Sequence, residues 1–416
     1  MTLNSKFSSD HKSGVLGEPD DPDLWTKILH HIPDKLLLDT MPRILVIGCG
    51  HATEAVLLVK RMLSLNLNPQ DVNESFYLID KSKMYTRYVS KTYGFKNVYT
   101  ADFMTWNTDM KFDIIIANPP YKKLSDNGQQ TSLSIWKDFI VKSSKMLSVG
   151  GYMLYVTPTG WCSPSDNGKL IERVFSQLNL VYADISDSVK SHFKGVGSTF
   201  GYTITVNEPY SHNTRIKTND GIHVVDLTKT RLITKDGMSI IKKLTMSAHP
   251  RCRFKVFGKT QQYPAPGYHT NDKPNIAIYK NIHNVNSSKD YLPDTTIPVR
   301  WSIHPSALTK YKKVVIPRNG PVNVIVDKGE FGVGVECTTM LLDDNELIES
   351  AAQVFNSKLF RFFASQRSTQ YNEPSNLNQF PLLDLTRPWT DAELYSHFKF
   401  SAEEIAFIEE FVPKKR

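Results

Sequence analysis

The sequence predicts an α/β fold: a Rossmann-like, mainly parallel sheet of seven strands, followed by a C-terminal α+β domain. Three observations predict it. Continuous apolar runs such as Ile44-Leu45-Val46-Ile47 and Ile114-Ile115-Ile116-Ala117 imply strands buried on both faces, as in a parallel sheet covered by helices. Short β-rich runs alternate with helical stretches between residues 43 and 206. After about residue 207 the alternation stops and turn residues multiply, among them Pro209, Pro264, Pro266, Gly267, Pro274, Pro293 and Pro298.

Taken in order, residues 1–22 are rich in Ser, Asp and Gly and read as a flexible tail. Strands are expected at 43–48, 75–80, 98–101, 112–117, 151–157, 181–187 and 200–206, with helices at 53–65, 84–93 and 134–145. The loop between the last two strands carries Gly195 and Gly197, which suits an antiparallel hairpin closing the sheet. Residues 23–206 therefore form the first domain and 207–385 the second, which includes a helix at 345–365. A helical segment, 386–416, ends the chain. Thr390-Asp391-Ala392-Glu393 and Ser401-Ala402-Glu403-Glu404 both match the capping box, in which a hydroxyl and a carboxylate satisfy orphan amides.

Composition narrows the class. With 416 residues, 40% apolar and 22% charged, the chain is neither largely disordered nor a coiled coil nor collagen-like. No run reaches the roughly 18–20 apolar residues of a membrane span, and no apolar signal region opens the chain. Cys49, Cys162, Cys252 and Cys337 lie far apart without CxxC spacing, which points to a reducing cytoplasm and to no zinc site. The 12 histidines show no HExxH pattern, so no metal is expected. The net charge of +8 is uneven: residues 1–200 carry +2, residues 201–320 carry +12, and residues 321–416 carry −6. A basic segment of that kind suits a polyanion. Its candidate phosphate contacts are Lys242, Lys243, Arg251, Arg253, Lys255, Lys259, Lys310, Lys312, Lys313 and Arg318.

Chemistry concentrates in Asn118-Pro119-Pro120-Tyr121, directly after a predicted strand. Ligands of parallel α/β sheets bind beyond the carboxyl ends of the strands. The exocyclic amine of a nucleobase is a poor nucleophile because its lone pair is delocalised into the ring. Acceptors that take both N–H bonds draw the nitrogen towards tetrahedral geometry. The Asn118 side chain and the Pro119 carbonyl are such acceptors, and the successive prolines Pro119 and Pro120 hold them. Tyr121 offers a flat face for a base. Upstream, Gly48-Cys49-Gly50 joins a strand to a helix, where glycine permits a tight turn and close approach of a ligand. Asp80, ending the second strand, either accepts the hydroxyls of a ribose or caps the next helix. Asp102-Phe103, after the third strand, either takes an adenine amino group and packs on its ring or is a turn with core packing.

Together, in this order, these motifs resemble the gamma-class DNA adenine-N6 methyltransferases of restriction–modification systems and phages. The resemblance covers most of the chain, including Gln379-Phe380-Pro381 near its end. It implies a class I methyltransferase sheet, S-adenosyl-L-methionine as cofactor, and a DNA-recognition domain at 207–385. Gly48, Cys49, Gly50, Asp80, Asp102 and Phe103 would bind the cofactor. Asn118, Pro119, Pro120 and Tyr121 would hold an adenine flipped out of duplex DNA. Phe193 either closes the other face of that base or fills a core edge. A cognate restriction endonuclease, a monomer or weak dimer, and the cytoplasm of a bacterial or phage-infected cell are further implications. Two departures stand out. The first strand lacks the family's acidic residue near Val46, for which Glu54 and Asp39 are the available substitutes. Ala52 stands where a third glycine often lies.

Overall fold

The computed structural model describes residues 21–124, 130–166, 169–193, 199–257, 279–283, 299–319, 322, 324–334, 336–366 and 372–411. Residues 1–20 of the predicted tail, Gly195, Gly197, Lys259 and most of the proline-rich stretch 258–298 lie outside them, while Asp21 and Pro22, the last two residues of that predicted tail, cap and begin a helix. The described chain divides into two compact units. The first runs to Thr159 and resumes at Leu170–Lys217; the second comprises Gly160–Lys169 and the chain from Thr218 onward.

The first unit is built on strands β1 (Ile44–Ile47), β2 (Phe76–Asp80), β3 (Asn97–Thr100), β4 (Phe112–Ala117), β7 (Leu147–Pro158), β8 (Asn179–Asp184) and β9 (Phe200–Val206). Their order is β8-β9-β7-β4-β1-β2-β3. β3, β2, β1, β4 and β7 pair in parallel, whereas β9 runs antiparallel between β7 and β8. All seven predicted strands are present, and the closing hairpin is β8–β9. The sheet then continues: β10 (Thr214–Thr218) pairs in parallel with β8, Arg215 opposite Tyr182. That pairing carries the first unit past the expected boundary at 206. Between β4 and β7 lie a short hairpin, β5 (Lys122–Leu124) with β6 (Gln130–Ser134), and helix α6 (Trp136–Met146). In chain order, the helices before it are α1 (Pro22–Leu29), α2 (Asp34–Thr40), α3 (Thr53–Ser64), α4 (Pro69–Ser75) and α5 (Lys83–Tyr93). β1 is buried at every position, as its unbroken apolar run requires, and packs in one core with Leu24, Trp25 and Ile28 of α1 and with Leu58 and Met62 of α3.

In the second unit a larger core gathers Ile240, Phe254, Val314, Met340, Phe360, Phe363 and Phe380. The C-terminal segment is part of it, since Trp389, Leu394, Tyr395, Phe398 and Ile408 belong to the same cluster. Both predicted capping boxes form, at Thr390 and at Ser401. The single helix expected at 345–365 is two, Ile348–Asn356 and Lys358–Ser365. Ser357 breaks it by adopting extended backbone (ψ 154), and its Oγ accepts the Phe360 amide at 3.1 Å, as an N-cap does. Residues 160–169 join this unit through bonds made far along the chain. The Cys162 carbonyl accepts the Ile233 amide at 3.0 Å, and Ser163 Oγ donates to Asn376 Oδ1 at 3.1 Å. No helix among the described residues is long and apolar enough to cross a membrane.

Candidate active site

Register alone brings the motifs to one edge. Ile47, the last residue of β1, lies opposite Ile79 of β2 and Ala117, the last residue of β4. Asp80 lies opposite Thr100, the last residue of β3. The glycine turn, Asp80, Asp102 and Asn118 therefore leave the sheet side by side, at the carboxyl ends where α/β sheets bind ligands.

The turn after β1 is locked by backbone bonds. The amides of Gly48 and Cys49 both donate to the Ile79 carbonyl, at 2.8 and 3.2 Å. Gly48 and Gly50 hold φ of 66° and 46°, in the left-handed region that glycine enters without steric cost. A Cβ on Gly48 would stand 4.0 Å from the Asn118 carbonyl oxygen, so the two motifs adjoin. The Cys49 side chain is buried, which leaves its backbone as its share of the turn. Ala52, in place of the third glycine, is also left-handed, with φ 62°, and precedes the first turn of α3.

Asp80 is anchored at both oxygens. Oδ2 accepts the Gly50 amide at 3.1 Å and Oδ1 the Ser82 amide at 2.7 Å. The carboxylate thus ties the glycine turn to the start of α5. The Ala101 amide donates to the Asp80 carbonyl at 3.0 Å, which draws the third-strand loop to the same place. Asp102 is exposed there, whereas Phe103 is buried and packs on Phe139 of α6 at 5.3 Å between ring centres. Of the two substitute carboxylates, Asp39 is exposed on α2 and Glu54 is buried in the first turn of α3, directly after the glycine turn.

Asn118 and Tyr121 touch. The Tyr121 hydroxyl donates to Asn118 Oδ1, closing a small ring across the two prolines. Pro119 is buried and Pro120 exposed. Tyr121 is part of a row of rings that includes Phe200, which sequence reasoning passed over as an ordinary strand residue. Its ring centre lies 4.9 Å from that of Phe200, and Phe193 stacks on Phe200 at 4.3 Å with the planes 10° apart. Phe193 is 4% exposed. It belongs to the same buried core as Phe200. His192 beside it pairs through Nδ1 with the Asp21 carboxylate, which also caps α1.

The basic candidates of the second unit separate into two sets. Arg251 donates to the carbonyls of Leu244 at 3.0 Å, Ser247 at 3.1 Å and Thr245. Arg253 pairs with Asp343 at 2.9 Å and Glu346 at 3.1 Å, Lys243 with Glu404 at 2.5 Å, and Arg318 with Glu373 at 2.6 Å. Lys312 donates to the carbonyls of Asp344 and Glu346. Lys313 is fully buried and pairs with Asp327, so its expected place on a phosphate-facing surface is corrected. Among the described residues Lys242, Lys255 and Lys310 pair with no carboxylate; Lys242 donates to the Val224 carbonyl, and Lys255 and Lys310 lie over the rings of Phe257 and Tyr311.

A family model, the Eco57I restriction-modification methylase, matches residues 46–182. The match takes in the glycine turn, Asp80, Asp102 and Asn118 to Tyr121, and ends before Phe193. The tRNA1(Val) (adenine(37)-N6)-methyltransferase of Glaesserella parasuis serovar 5 (strain SH0165) is 26% identical over 123 residues, 28% of this chain and 51% of its own length. The chain thus spans about half the length of that curated relative. Among solved structures, the type IIL restriction-modification enzyme MmeI in complex with DNA aligns at TM-score 0.49 and 10% identity, over 93% of this chain and 70% of that one. The M protein of the type I restriction enzyme EcoKI aligns at TM-score 0.37 and 13% identity, over 48% and 47%. Over residues 46–182, then, this chain is similar to the Eco57I restriction-modification methylases, and S-adenosylmethionine is the cofactor expected of such a domain.

Proposed function

We propose that the chain is a site-specific DNA methyltransferase that modifies the N6 amine of an adenine flipped out of duplex DNA. The observation that carries this reading is Asn118-Pro119-Pro120-Tyr121 at the end of β4, against the glycine turn of β1. The residues fit S-adenosylmethionine by their chemistry. Gly48 and Gly50 keep side chains off the turn, and the Asp80 carboxylate, already fixed by two amides, offers acceptors for paired hydroxyls. Asp102 would accept from the adenine amine, and buried Glu54 is the better placed carboxylate for the amino acid ammonium. When bound, that cofactor supplies an electrophilic sulfonium methyl group.

The chain's own part is orientation. Asn118 Oδ1 and the Pro119 carbonyl take the two N–H bonds of the target amine, leaving its lone pair directed at the methyl group. The Tyr121 hydroxyl yields its place on Asn118 when the amine arrives. Stacking on Tyr121 is worth roughly 1–3 kcal/mol and offsets part of the few kcal/mol that base flipping costs. Phe200 and Phe193 back Tyr121 as a rigid support. The second unit, with its basic segment, holds the duplex through phosphates and reads base edges. A restriction endonuclease of the same specificity is the partner that a restriction–modification methylase implies.

Modification-sensitive sequencing of DNA from cells that express the chain tests the reading. N6-methyladenine in one sequence context is the expected result, and N4-methylcytosine alone would contradict it. The similarity to a tRNA adenine-N6 methyltransferase favours a second reading, in which structured RNA supplies the adenine. Tritium transfer from labelled cofactor to duplex DNA and to tRNA separates the two, and transfer to RNA alone sinks the first.

A further inference from the structure

Residues 102–106 form one isolated turn. The amides of Thr105 and Trp106 donate to the Asp102 carbonyl at 3.1 and 2.8 Å, and the Met104 amide donates to Asp102 Oδ1 at 2.8 Å. A turn that does not continue into a helix leaves its last carbonyls without amide partners. Here a single side chain collects them. Lys142 of α6 donates from Nζ to the carbonyls of Phe103 at 2.6 Å, Met104 at 3.0 Å and Trp106 at 2.5 Å. An ammonium has three N–H donors, and the turn presents three carbonyls. The same Nζ lies 5.0 Å from the centre of the Phe103 ring, which packs on Phe139, one turn earlier on the same face of α6. Burial pulls the Lys142 ammonium below its ordinary pKa, with the Asp102 carboxylate acting the other way. A cation at the carbonyl end of a turn also meets the favourable end of its dipole.

We infer that Lys142 is a positioning residue for the cofactor: it fixes the turn 102–106 and so the Asp102 carboxylate and Phe103 ring at the adenine end of the site. This rests on the cofactor reading proposed above. Lys142 itself touches neither cofactor nor base. Its effect is on cofactor affinity and leaves the Asn118 end of the site alone.

Calorimetric titration with S-adenosylhomocysteine compares wild type with Lys142→Met. The dissociation constant is expected to rise about ten-fold or more, the loss of one to two charged hydrogen bonds. The KM for S-adenosylmethionine should rise in step, while the KM for DNA and kcat at saturating cofactor stay within about two-fold. Amide exchange of the ligand-free variant should quicken at 102–107 and not in β4. Equal affinities overturn the inference, as does a loss of kcat and melting temperature without a split between the two KM values. A wild type that binds no S-adenosylhomocysteine overturns the cofactor reading instead. Should Lys142→Met not fold, Lys142→Gln, which keeps one donor group, is expected to raise the dissociation constant and the KM for S-adenosylmethionine several-fold over wild type, and unchanged values overturn the inference.

Discussion

At the scale of single residues, the site is defined by what Asn118 Oδ1 holds. In the chain alone it accepts from the Tyr121 hydroxyl; under the proposed function, that bond keeps the acceptor for the target amine occupied and aligned. Two substitutions separate the parts. Asn118→Ala removes the acceptor and is expected to lower kcat about 10²–10³-fold with little change in S-adenosylhomocysteine affinity, measured by single-turnover transfer and by titration. Tyr121→Phe keeps the ring and removes the competitor for Asn118, so DNA affinity should hold or improve, whereas Tyr121→Ala should lose about 1–3 kcal/mol of base binding. Ala52 is a second case. Its φ of 62° is a conformation that an L-residue pays roughly 1–2 kcal/mol to hold. Ala52→Gly should therefore raise stability by about 1 kcal/mol in a urea titration, less what its buried methyl contributes.

At the scale of elements, the acid-sensitive part of the second unit is its C-terminal helix pair. The Thr390 amide and hydroxyl hold the Glu393 carboxyl below its ordinary value. At Glu404 burial pushes the other way but is outweighed by Lys243 and the Ser401 cap. Lys358 and the Tyr395 hydroxyl lower Glu409. Groups depressed in the folded state give stability that is fully present above the unfolded carboxyl pKa of 4.5 and is lost as pH falls through the lower folded values. Trp389 fluorescence followed below pH 4.5 should report this segment loosening first. The buried Lys313–Asp327 pair sets a different limit. Asp327 also accepts the amides of Glu330 and Phe331, so it pins the turn after its strand. Asp327→Asn leaves an ammonium buried without its counter-charge and should cost about 3–5 kcal/mol in a denaturant titration.

At the scale of the whole molecule, the charge arithmetic has a structural answer. The basic block at 201–320 and the acidic block at 321–416 are partners: Arg253, Lys243, Arg318 and Lys313 of the first meet Asp343, Glu346, Glu404, Glu373 and Asp327 of the second. The excess available to a polyanion is smaller than +12. DNA affinity should therefore fall with salt less steeply than that number suggests. Lys255→Ala and Lys310→Ala should each lower the log–log slope by about 1, while Arg253→Ala should lower stability and leave the slope alone. Much of the first unit was legible because its signals are local. A fully apolar run makes a buried parallel strand, a motif follows its strand, and register does the rest. What escaped needed partners distant in sequence. A lysine inside Lys313-Val314-Val315-Ile316 reads as a surface charge until Asp327 is found, β10 lies past the expected end of the sheet until it meets β8, and Lys142 is one residue of a predicted helix until the 102–106 carbonyls close on it.

The short excursion at 160–169 has a consequence for how such a protein can be recombined. The second unit is not one continuous stretch of the gene, because ten residues of it are encoded inside the first. A crossover at a single point near residue 217 would import a new second unit but keep the old excursion. Cys162 and Ser163 would then face strangers in place of Ile233 and Asn376. A replacement second unit would have to be grafted with two cuts, or brought in with a matching decapeptide.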